Sequence, residues 1–118
     1  MSQYLFLYRS NGQQDRSRNA SPEEAQRLMQ KWVTWLKELG DSGHLKDQGQ
    51  PLEPTGKLVK GRDKTVTDGP FAEAKDVVGG YTLIEAKDIN EAAELSKGCP
   101  IFEQNGAVEV RPIMVMNL

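Results

Sequence analysis

Cysteine, histidine and long apolar runs are all scarce in this chain of 118 residues, and each shortage excludes something. Cys99 is the single cysteine, so no internal disulfide can form, and a domain of this length can bury one core without such a staple. His44 is the single histidine and lies far from Cys99 in sequence, so the two offer no clustered ligand spacing of the kind a zinc site requires, and no metal is expected. No stretch approaches the roughly 20 apolar residues of a membrane-spanning helix. Met1-Ser2-Gln3-Tyr4 also lacks the basic start and apolar run of a secretory signal, which makes the expectation a soluble, cytoplasmic protein. The 15 basic and 17 acidic residues are mixed along the chain and leave a net charge of −2. That balance offers no basic stripe for nucleic acid and no polybasic block for a membrane surface. Gly79-Gly80 falls within an apolar, strand-like stretch and does not open a helix, so it is no phosphate cradle, and no cofactor is expected.

What is present reads as one domain over residues 1–118. Tyr4-Leu5-Phe6-Leu7-Tyr8 is too short for a helix and rich in large apolar residues, so it predicts a buried strand with rings on one face and leucines on the other. Residues 11–20 are polar and predict an exposed loop. Ser21-Pro22-Glu23-Glu24 then supplies a cap, a proline at the first helical position and a glutamate that answers the cap. Leu28, Met29, Trp32, Trp35, Leu36 and Leu39 follow as one apolar stripe, with Gly40 as the stop. Residues 41–54 are turn-rich. Lys57–Lys60 and Thr65–Thr67 flank a short polar turn and predict a thin charged hairpin at a sheet edge.

The stretch Thr67-Asp68-Gly69-Pro70-Phe71-Ala72-Glu73 predicts a bend, because Asp-Gly and Gly-Pro are strong turn dipeptides. Val77 to Ala86 predicts a long central strand in which Gly79-Gly80 permits a bulge or a close backbone approach. Asp88 with Glu91 predicts a second capped helix, ended by Gly98 and Pro100, and Ala107 to Pro112 a last strand. The apolar tail Ile113-Met114-Val115-Met116 is expected to pair or be covered. This order predicts an α+β fold of ferredoxin-like kind, an antiparallel sheet with two helices on one face. If Leu5 and Leu7 face the helices, Tyr4, Phe6 and Tyr8 form an open aromatic face. A two-fold homodimer, sheet to sheet, would cover it and enclose a ligand pocket.

The motif from Thr67 to Glu73, followed by Gly79-Gly80-Tyr81, Cys99-Pro100 and Val108-Glu109-Val110-Arg111-Pro112, resembles the YCII-related proteins of the DGPF type along nearly the whole chain. The resemblance implies a dimeric α+β barrel in a small bacterial cytoplasmic protein, without an assigned activity. Some such proteins carry the label of transcription initiation protein, and relatives occur fused to or beside sigma factors. YciI-like relatives have a proposed histidine–aspartate acid–base pair, and a related dehydrochlorinase acts on a chlorinated hydroxyquinol. This chain departs from that pair, with Ser21-Pro22-Glu23-Glu24 where the histidine would lie and Cys99 in place of the aspartate.

Among its own residues, Asp68 has two readings: a general base in an apolar pocket, or a side chain that fixes the turn. His44 is a weaker proton carrier, in a loop that also suits a solvated imidazole. Phe71 caps a pocket or anchors the bend. Tyr8 and Tyr81 present hydroxyls to a ligand or line a dimer interface, and Arg111 rims the pocket, where Glu73 is a candidate partner for it. Cys99 reads as a small apolar group with no base at a known spacing. The expectation for function is a small, partly aromatic metabolite bound by a dimer, with cofactor-free acid–base chemistry open. The alternative is a regulatory protein that contacts a sigma factor, and direct DNA binding ranks last.

Overall fold

The computed structural model describes residues 1–10, 21–69 and 77–117. Strand β1 (Ser2–Ser10) enters first and lies in the middle of the sheet. Helix α1 (Pro22–Asp41) starts where the sequence signals it, with the Ser21 hydroxyl accepting from the Glu24 amide at 3.2 Å. It runs past Gly40 to a Ser42 cap. The Gly43 amide donates to Gly40 O and the His44 amide to Leu39 O, a closure that needs the positive φ of 82° at Gly43.

Strand β2 (Leu45–Asp47) follows, in a stretch where only turns are expected from sequence. Strands β3 (Gly56–Lys60) and β4 (Thr65–Gly69) then pair with each other alone. Strand β5 (Val77–Ala86), helix α2 (Ile89–Ser96), a short 3-10 helix (Pro100–Gln104) and strand β6 (Ala107–Pro112) complete the chain. The main sheet is antiparallel in the order β2-β5-β1-β6, with both helices on one face. This is the ferredoxin-like α+β arrangement, and β2 is its fourth strand. The predicted hairpin is therefore an insertion: β3 and β4 form a separate ribbon, exposed at every residue from Gly56 to Asp68, and do not edge the sheet.

The aromatic face of β1 corrects the sequence expectation. Tyr4, Phe6 and Tyr8 point into the core beneath the helices, and Leu5 and Leu7 point to the open face. Phe6 stacks on Trp35 at 6.1 Å between ring centres, and Tyr8 meets Trp32 edge-on at 4.9 Å. The register supplies the reason. Opposite Tyr8 and Phe6 on β5 stand Gly80 and Thr82, small enough to leave room for two tryptophans above the rings. Met29 lies outside the core stripe of α1, 64% exposed, while Trp35 and Leu39 are buried.

Candidate functional site

Because side chains on a strand alternate, Leu5, Leu7 and Arg9 share the open face with Tyr81, Leu83 and Glu85 of β5 and with Glu109 and Arg111 of β6. Tyr81 stands opposite Leu7, and Arg111 opposite Leu5. The floor of the face is thus aliphatic and aromatic, and only half-buried. Its rim is charged. Arg9 and Arg111 each donate to Glu109, at 3.1 Å in both cases, so two guanidinium groups share one carboxylate. Lys46 and Glu85 pair at 3.6 Å across the other side. The face holds the predicted Tyr81 and Arg111 together and adds Arg9 and Glu109. The period-2 pattern could have revealed both had the parity of β1 been known.

The remaining predicted residues lie elsewhere. Asp68 lies one residue before the end of the ribbon, with its side chain 89% exposed and paired with Lys57 on the opposite strand. These two line an open groove of about 510 Å³ with Pro54 and Gly69. His44 sits between α1 and β2, its Nδ1 2.8 Å from Glu85 O. A carbonyl only accepts, so that nitrogen carries the proton. Glu91 approaches the same nitrogen at 4.0 Å. Asp68 and His44 thus occupy different parts of the fold, and no contact among the described residues links them. Phe71, Glu73 and the Pro70–Glu73 part of the predicted bend lie outside the described residues.

Tyr8 is in the core, and its hydroxyl is already engaged. It donates to Thr82 Oγ1 at 2.6 Å, and Thr82 donates onward to Gln48 O at 2.9 Å. Burial pushes the Tyr8 phenol above its ordinary range. The chain of hydroxyls ties β1 and β5 to the segment that leaves β2. Thr82→Val strands a donor and an acceptor at once and is expected to cost about 2–4 kcal/mol, whereas Tyr8→Phe leaves the Thr82 bond intact and costs about 1 kcal/mol. Urea unfolding of the two variants checks this, and equal losses would show that Thr82 is not the shared partner.

On the helix side, an open groove of about 490 Å³ runs between α1 and the 3-10 helix, lined by Arg27, Lys31, Trp35, Cys99 and Glu103. Its charges are matched. The hydrogen bond from Lys31, with Arg27 nearby, holds the Glu103 carboxyl below its usual range. Cys99 is buried, and burial pushes its thiol up to about 12, the protonated and inert form. Among the described residues, no cluster of three or more His, Cys, Asp or Glu side chains could hold a metal ion, and no helix is long and apolar enough to cross a membrane. The family model for the YCII-related domain matches residues 3–117, essentially the whole chain. No curated protein matches it.

Proposed function

The chain belongs to the YCII-related domain family, and on that premise we propose that it works as a cytoplasmic homodimer that binds a small, partly aromatic metabolite between two apposed sheet faces. One observation carries the reading: Arg9 and Arg111 share a single carboxylate beside the apolar floor of Leu5, Leu7, Tyr81 and Leu83. An apolar floor with a few convergent donors is the usual make-up of a small-molecule site. The Arg111 side chain is 64% exposed, and Glu109 engages only part of its five-donor fork. A ring lying over the leucines and Tyr81, with an oxygen or carboxylate directed at Arg111, satisfies both halves of the face. A second copy of the sheet keeps water from the floor.

The test is a thermal-shift panel of phenols, quinols and aryl carboxylates on the wild type and on Arg111→Ala, with sedimentation of both. A ligand at 100 times its Kd contributes about 2.7 kcal/mol and moves the Tm of a chain this size on the order of 10 °C. Arg111→Ala is expected to remove most of that shift while the dimer persists. Turnover assays on any compound that binds then ask whether acid–base chemistry accompanies binding. If no compound stabilises the dimer, metabolite binding is lost as a reading and a protein partner takes its place. If Leu7→Lys leaves the dimer intact, the open face is not the interface.

A further inference from the structure

Two apolar arms remain uncovered in the single chain. On the ribbon, Val59 and Val66 are directly opposite each other, 61% and 59% exposed. Past β6, the Ile113 amide is tied to Gln3 O at 3.0 Å, and beyond it Met114 and Val115 are 79% and 91% exposed. Uncovered valines and methionines on two arms fit a surface that another copy buries, since large exposed apolar patches mark interaction sites.

The arms leave opposite ends of the sheet. The tail departs from Pro112, which stands beside Tyr4, at the end formed by Ser2 and Ala86. The ribbon departs at the other end, where Leu52 binds Gly79 O, near the Ser10–Val77 pair. The nine residues of β1 separate the two ends by about 30 Å, and Val59, Val66, Met114 and Val115 all stay exposed, so in the single chain the tail does not cover its own ribbon. Two sheets packed face to face have two choices of in-plane two-fold axis. An axis along the strands sets ribbon beside ribbon and brings Lys57, Lys60, Arg62 and Lys64, against only Asp63 and Asp68, close to their own copies. An axis across the strands sets each ribbon beside the uncharged tail of the other chain. Four extended residues reach about 13 Å, enough to span the roughly 10 Å between packed sheets.

From this we infer that the dimer is arm-exchanged: the tail Ile113–Met116 of each protomer packs on the Val59–Val66 face of the ribbon of a second copy, across a two-fold axis perpendicular to the strands. The inference rests on the sheet-to-sheet dimer proposed above and adds its axis and its outer contacts.

Mixed disulfide formation tests it. Val66→Cys protein is mixed with Met114→Cys or Val115→Cys protein under mild oxidation, two tail positions being used because neighbours point to opposite sides. At least one mixture is expected to give a cross-linked dimer at tenfold or more the yield of either variant alone; the buried Cys99 makes no comparable background. Removal of residues 113–118 is expected to weaken the dimer tenfold or more without loss of strand signal. Predominant tail-to-tail or ribbon-to-ribbon cross-links would put the axis along the strands and overturn the inference, as would a truncated chain that dimerises as tightly as the wild type. A wild type that sediments only as a monomer overturns the sheet-to-sheet dimer itself. A dimer without the mixed cross-link overturns only the arm exchange.

Discussion

Gly49→Ala is expected to destabilise the fold by about 2–5 kcal/mol, a large part of the 5–15 kcal/mol that holds a typical domain. Gly49 has a φ of +73° and presses its backbone on β5, so a Cβ there would fall 1.7 Å from Tyr81 O. The left-handed backbone costs an alanine about 1–2 kcal/mol, and forcing two backbones apart adds about 1–3 kcal/mol more. Gly43→Ala is the matched control. Its φ is +82°, but a Cβ there has nothing within 4 Å, so only the backbone cost of about 1–2 kcal/mol remains. Urea unfolding of both variants separates the two contributions. Equal losses would show that the segment leaving β2 can lift off β5 without penalty.

Trp35→Ala is expected to cost about 3–5 kcal/mol, the range for emptying a large aromatic site. Trp35 is where α1, α2 and the sheet meet. It stacks on Phe6, meets Trp32 edge-on at 5.9 Å, donates Nε1–H to Leu95 O at 3.3 Å and lies over Gly98, where a Cβ would come within 3.1 Å of the indole. Trp35→Phe keeps much of the ring packing and forfeits the indole bond, so its loss should stay near 1–2 kcal/mol. The two variants compared by denaturant melts decide whether packing or the Nε1 bond matters more at this junction. A phenylalanine variant as unstable as the alanine one would assign the greater part to the hydrogen bond and the indole's shape.

Signals that act over a few residues were legible in the sequence. The Ser21 and Asp88 caps, the span of α1, and the strands Val77–Ala86 and Ala107–Pro112 rest on local chemistry, and the fold has them there. The Asp88 carboxylate receives the Glu91 amide at 2.8 Å, while Glu91 reaches back to the Lys87 amide rather than to that of Asp88. β2 was not legible, because three residues with a register shift between glycine-rich turns carry no periodic pattern. The facing of β1 was not legible either. Both of its faces are apolar, and only the register against Gly80 and Thr82 shows which side has room for rings. That one choice carried the candidate site with it. With β1 turned over, Tyr8 enters the core, and Arg9 and Glu109 join Tyr81 and Arg111 on the open face.

The place of β1 between β5 and β6 has a consequence in time. Ser2 pairs with Ala86 and Tyr4 with Pro112, so β1 waits for residue 86 to gain its first neighbour in full and for residue 112 to gain its second. At 5–20 residues per second, the roughly 100 residues from β1 to the end of β6 take about 5–20 s, during which its aromatic rows lack a complete sheet. Until β5 emerges, α1 is the one described element that packs on them, through Trp32 and Trp35. Pairings this distant also predict slow folding for the chain's size, since loop closure must precede the contacts that reward it.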